Sequence, residues 1–129
     1  MKWKIEYLEK ERSVFAQASG PTTLEEHGKF TAEVIACARE HNTHKIFIDF
    51  MKLVHALSVL QVDQLSEVLK QAGVTPEDKM AVLFDVSSPL KNNLVFFGNV
   101  AIIKSLKIKP FTDKKTALEW LNQEPAENP

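Results

Sequence analysis

The first twenty residues alternate between polar and apolar positions. In "KWKIEYLE" every second residue from Trp3 to Tyr7 is apolar, and the positions between them are charged. A period of two is typical of a strand with one buried face. A polar turn near "EKE" separates this segment from "RSVFAQAS". The pattern therefore predicts an antiparallel β-hairpin.

Helical and strand patterns then alternate. "GPTTLEEHGKF" offers two capping boxes, Thr22 with Glu25 or Thr23 with Glu26, at the start of a helix that we expect to end at a left-handed Asn42. "KIFIDF" and "KMAVLFDV" are nearly continuous apolar runs, which indicate interior strands covered on both faces. Between them we predict a helix over residues 58–72 that stops at Gly73, and one helical turn in "TPEDK".

The remainder predicts two more helices and one strand. "SSPLKNN" starts a helix with Ser88 as its cap, "LKIKPF" is a short strand that Pro110 places at a sheet edge, and "TDKKTALEWLNQ" is an amphipathic helix. We expect that last helix to bury Ala117, Leu118 and Leu121. The order β-β-α-β-α-β-α-β-α predicts one α/β domain over residues 1–124, with about five strands in a mixed sheet, four main helices and a short polar tail, 125–129.

The chain resembles the SpoIIAA-like branch of the STAS domains, the superfamily of sulphate transporters and anti-sigma-factor antagonists. The resemblance rests on the element order, on "KIFIDF" with its loop, and on the closing "PFTDKKTALEWL". It implies a STAS-like fold and a role in regulated partner binding. In antagonist members the loop carries a phosphorylated serine, and the alignment places Ser58 nearest to it. Leu57 and Val59 depart from that motif, and its glycines are absent.

Composition restricts the class of partner. The 129 residues are 44% hydrophobic and 26% charged, with a formal net charge of −1, so we expect no nucleic-acid partner. The chain has one cysteine, Cys37, no signal-peptide pattern, and no apolar run long enough for a transmembrane segment. These features predict a cytoplasmic protein.

Polar residues follow the two predicted interior strands. Because carboxyl ends of parallel strands meet at one edge of a sheet, we expect these residues to share a cleft for a small molecule or anion. Ser58 has two interpretations: it is a phospho-acceptor at a helix start, or the cap of an S-x-x-Q box with Gln61. The candidate ligand residues are Asp49, Lys52, His55, Ser58, Asp85 and Ser87.

The segment "LVFFGNVAIIKSL", residues 94–106 and called here the apolar segment, has apolar residues on more than one helical stripe. A surface helix normally keeps one face polar. Three explanations remain open: burial beneath another element, a surface for a partner or a second copy, or the lining of a pocket for an apolar, lipid-like ligand. The residues on the additional stripes, and hence the interface candidates, are Val95, Phe96, Val100 and Ile103.

We find no catalytic set in the sequence. His55 has no evident orienting partner, and no G-x-S-x-G motif is present, so a hydrolase around His55 and Ser58 is the least favoured interpretation. Cys37 and His41 are four residues apart but offer fewer ligands than a closed metal site needs. We expect no metal and no cofactor. The leading prediction is a non-enzymatic module that binds a protein partner or itself, followed by a small-molecule-binding protein and by a switch at Ser58.

Overall fold

The computed structural model describes residues 1–53, 59–85 and 106–123. Within these ranges the chain forms one five-stranded mixed sheet and three helices, which confirms the predicted α/β class. The strands are β1 (Lys2–Leu8), β2 (Ser13–Gly20), β3 (Lys45–Leu53), β4 (Lys79–Leu83) and β5 (Lys107–Phe111), and the helices are α1 (Leu24–Glu40), α2 (Val59–Gln71) and α3 (Lys114–Leu121). The predicted helix that starts at Ser88 lies outside the described residues.

The predicted hairpin is confirmed. Strands β1 and β2 pair antiparallel, with Lys2 opposite Ser19 and Leu8 opposite Ser13. Along β1 exposed residues alternate with partly buried ones, as the period of two requires. All later pairings, from β2 to β5, are parallel, and the strands stand in chain order across the sheet. Strand β5, which contains Pro110, lies at the sheet edge as predicted.

The two faces of the sheet carry separate cores. On the first face α1 and α2 pack on a large cluster that includes Val14, Ile46 and Met80. On the second face α3 packs over β3, β4 and β5, and its Ala117 and Leu121 are buried as predicted. Leu118, which was also predicted to be buried, is only partly buried. The contacts of α3 with the sheet do not extend to β1 and β2, so the hairpin half of the second face has no helix over it among the described residues.

Local signals fix the ends of α1. The hydroxyl oxygen of Thr23 accepts a hydrogen bond from the Glu26 N–H at 3.2 Å, and the Glu26 carboxylate accepts one from the Thr23 N–H at 3.2 Å. Of the two capping boxes that the sequence offers, the chain therefore uses the second. At the other end Asn42 has a φ of 52°, the left-handed conformation predicted for it.

The connection from α2 to β4 differs from the prediction. Helix α2 stops before Gly73, whose φ of 105° suits glycine and few other residues. The predicted helical turn in "TPEDK" is instead a single β-turn, closed by a 3.0 Å hydrogen bond from the Asp78 N–H to the Thr75 carbonyl. In the sequence, Asp78 has the position of an exposed acidic residue at the start of a helix. In the structure its side chain points into the protein and is fully buried.

Candidate functional site

Three of the six candidate ligand residues fall within the described ranges, and all three lie toward the carboxyl edge of the sheet. Asp49 and Lys52 belong to the second half of β3, and Asp85 follows the end of β4 by two residues. Because β3 and β4 are parallel, with Asp49 opposite Leu83, the three residues lie at the same edge of the sheet. The predicted ligand cleft stays a prediction. His55, Ser58 and Ser87 lie outside the described residues, as do the interface candidates Val95, Phe96, Val100 and Ile103.

A bulge in β3 places Lys52 on the same face as Asp49. Asp49 pairs with Gln17 of β2, and Lys52 pairs with Ser19, so three steps along β3 match two steps along β2. Residues two apart on a regular strand point to the same side, and the extra residue in β3 brings Lys52 onto the second face. The same shift turns both Phe50 and Leu53 into the core of the first face.

The carboxylate of Asp49 already has backbone and side-chain partners. One of its oxygens accepts a 2.8 Å hydrogen bond from the Met51 N–H, and the other accepts from the Gln17 amide at 3.4 Å. The first bond holds the chain in the bulge, because it satisfies an N–H group that leaves the regular ladder there. Asp49 therefore stabilises the shape of the edge, and Lys52 beside it is exposed.

An ionic cluster around the buried Asp78 lies at the opposite, amino edge of the sheet. Arg39 at the end of α1 donates two hydrogen bonds to the carboxylate of Asp78, at 2.9 and 2.6 Å. His44 donates to the same carboxylate from Nδ1 at 2.9 Å, and the N–H and hydroxyl groups of Thr75 donate at 2.8 and 3.2 Å. An ionised carboxylate only accepts, so Nδ1 of His44 carries a proton in this contact. These bonds join the end of α1, the residue before β3 and the turn before β4.

The pKa of Asp78 is set by two opposing effects. Burial raises the pKa, since an ionised carboxylate loses its water. The hydrogen bonds from Arg39, from the Thr75 backbone and from His44 together outweigh burial, so the pKa of Asp78 lies below its ordinary value. The cluster is saturated with donors, which identifies it as a structural element that fixes the amino edge. Sequence reasoning missed it because Arg39 and Asp78 are 39 positions apart and belong to no local motif.

His27 is the most deeply buried histidine within the described ranges. It belongs to the first turns of α1, is only 6% exposed, and meets the Phe50 ring edge-on at a centroid distance of 5.6 Å. Burial lowers the pKa of His27 to about 4, although the nearby Glu26 carboxylate works in the other direction. His27 is therefore neutral near pH 7 and is part of the core of the first face.

Cys37 and His41 contact each other but form no ligand set. The His41 Nδ1 lies 2.9 Å from the Cys37 carbonyl oxygen and 3.9 Å from the Cys37 sulfur, so Nδ1 donates to the carbonyl. Burial, helped by the Glu40 carboxylate, raises the pKa of the Cys37 thiol, which disfavours the thiolate that metals and electrophiles require. The residues that the structure describes contain no group of three or more His, Cys, Asp or Glu able to hold a metal.

Comparison with known proteins gives no assignment. No known protein family matches the chain, and no similar sequence is found among curated proteins. Within ranges 1–53, 59–85 and 106–123, none of the helices has both the length and the apolar character needed to span a bilayer.

Proposed function

We propose that this chain is a non-enzymatic module of the SpoIIAA-like STAS kind, which binds a second copy of itself or a protein partner through the apolar segment. The STAS assignment rests on the sequence resemblance, and the mixed sheet that begins with a hairpin is compatible with it. The proposed binding role rests on a single observation about the distribution of apolar side chains.

That observation is the scarcity of exposed apolar side chains among the residues that the structure describes. Among the side chains that the structure describes, Met51 is the only large hydrophobic one that is exposed, at 42%. Stable protein interfaces need a contiguous apolar centre, and one methionine does not supply it. The apolar segment has Val95, Phe96, Val100 and Ile103 in addition to a complete first stripe. It therefore has the composition of an interface.

The chemistry of the carboxyl edge supports a role without catalysis. A general base must be able to reach a substrate proton. The Asp49 carboxylate instead accepts hydrogen bonds from the Met51 N–H and the Gln17 amide. Lys52 is exposed on the same face of the sheet. Two other functions predicted for this edge stay predictions. They are a small-ligand cleft that includes His55 and Ser87, and a phospho-switch at Ser58.

Replacing Phe96 with aspartate is expected to shift the protein from an associated to a monomeric species. An aromatic residue at the centre of an interface typically contributes at least about 2 kcal/mol to association, which is about thirtyfold in Kd. Native mass spectrometry and sedimentation of the wild type and of Phe96→Asp measure the shift, with thermal unfolding recorded for both.

The exposed Met51 provides the matched control. Met51→Asp places the same charge on a large exposed hydrophobic residue, and we expect it to leave the oligomeric state unchanged. If Phe96→Asp leaves solubility, stability and oligomeric state all unchanged, the proposed interface is wrong.

A further inference from the structure

A cleft lies between the hairpin and α3. It has a cavity volume of about 300 Å³ and opens on the second face of the sheet, next to the part that α3 leaves uncovered. This volume is at the lower end of the range for small-molecule sites. The residues that matter for its chemistry are Glu6, Glu11, Ser13, Phe15, Phe47 and Lys114.

Two aromatic rings line the cleft. Phe15 of β2 and Phe47 of β3 stack with a centroid distance of 5.6 Å and an interplanar angle of 15°. Phe47 is buried, whereas Phe15 is only partly covered. A flat apolar body placed against Phe15 would remove the remaining aromatic surface from water, which is the usual driving force for filling such a cleft.

The cleft also contains a buried hydroxyl group without a described partner. Ser13 is only 6% exposed, and it lines the cleft at the start of β2. Within the described residues no hydrogen bond reaches its side-chain oxygen, although buried polar groups are normally paired. A hydroxyl group in that position is destabilising until a partner reaches it. It can accept a hydrogen bond from a donor that enters the cleft.

The charged residues around the cleft determine which ligand charge it favours. Glu6 and Glu11 lie on the hairpin side, and Lys114 lies on the α3 side. None of the three forms an ion pair with another residue of the described ranges, so both carboxylates retain their accepting capacity. Two carboxylates against one ammonium give the cleft a net negative charge, which favours a cation.

We propose that this cleft binds a small organic ammonium ion that carries an aromatic body. The aromatic body packs on Phe15 beside Phe47, and the ammonium group donates to the Ser13 hydroxyl oxygen and to the Glu6 and Glu11 carboxylates. Charge-assisted hydrogen bonds of this kind are about twice as strong as neutral ones. None of the residues that line the cleft belongs to the apolar segment, and the proposal goes beyond the proposed partner binding.

Tryptamine is a suitable probe, and indole-3-acetate is its anionic counterpart with the same ring. Calorimetric titration of the intact chain is expected to show tryptamine binding at least about tenfold more tightly than indole-3-acetate. The double variant Glu6→Gln/Glu11→Gln is expected to lose about tenfold in tryptamine affinity. The control Glu67→Gln/Glu119→Gln removes two exposed carboxylates outside the cleft and is expected to keep the affinity. Absent tryptamine binding, or equal affinity for the two indoles, overturns the proposal.

Ser13→Ala separates a ligand-binding hydroxyl from a structural one. Without ligand, this variant is expected to unfold at a higher temperature than the wild type, because it removes an unpaired buried hydroxyl. The same variant is expected to bind tryptamine more weakly. A lower unfolding temperature would mean that the hydroxyl already has a structural partner, and unchanged tryptamine affinity would mean that the ligand does not reach it; either result rejects this assignment of Ser13.

Discussion

Replacing Asp78 with alanine is expected to lower the free energy of unfolding by about 3 kcal/mol. Removing one partner of a buried ion pair usually costs about 3–5 kcal/mol because the other charge loses its compensation. Asp78 is fully buried, but the Arg39 side chain is 38% exposed and keeps part of its water, which places the effect at the lower end. The N–H of Thr75 and the Nδ1 of His44 also lose their acceptor.

Urea unfolding at neutral pH measures this loss, and the neighbouring Glu77 provides the control. Glu77 is exposed and adjacent in sequence, so Glu77→Ala is expected to change the free energy of unfolding by no more than about 0.5 kcal/mol. Asp78→Asn tests the effect of charge separately from that of side-chain volume. The amide has nearly the volume of the carboxylate but no negative charge to compensate Arg39. Equal effects of Asp78→Ala and Glu77→Ala would contradict the structural role assigned to the cluster.

Acidification is expected to destabilise the protein through His27 before the carboxylates protonate. The pKa of His27 is about 4 in the folded protein and 6.5 in an ordinary environment, so the unfolded chain takes up a proton first as the pH falls. The stability that neutral His27 provides is complete above pH 6.5 and declines from there toward pH 4. At about 1.4 kcal/mol for each pH unit, the total loss is about 3 kcal/mol.

A non-titrating residue at position 27 is expected to remove this slope. His27→Leu places an apolar side chain of similar volume against Phe50. The free energy of unfolding of this variant should vary much less between about pH 7 and pH 4. The exposed His41 is the matched control, and His41→Gln is expected to keep the wild-type slope. Asp78, whose pKa is lowered, loses its contribution only at still lower pH. Identical slopes in the wild type and His27→Leu would contradict the burial assigned to His27.

Local patterns predicted the elements whose signals are short in sequence. The alternation in β1, the Thr23–Glu26 box, the left-handed Asn42 and the stop at Gly73 each depend on residues within four positions of one another. Such signals act through backbone hydrogen bonds and allowed φ angles, which are the same in any fold. The edge position of β5 could also be predicted from the sequence, because a proline has no backbone N–H to donate to a neighbouring strand.

Features that depend on distant contacts were missed. The "TPEDK" segment has the composition of a helix start, yet Asp78 there is the acceptor for Arg39, and that tertiary bond favours a β-turn. The bulge in β3 appears only when the register with β2 is known, since Asp49 and Lys52 look like residues of opposite faces. The cleft likewise combines the hairpin with α3, more than 100 positions later in the chain.

We propose that the apolar segment has more apolar surface than the rest of the domain can cover. Sedimentation of the wild-type protein over a wide concentration range, repeated with an apolar fluorescent dye, tests it most directly. We predict association that increases with concentration, or a monomer that binds the dye until a partner covers the segment. A species that stays monomeric at every concentration and leaves the dye unbound would contradict the claim.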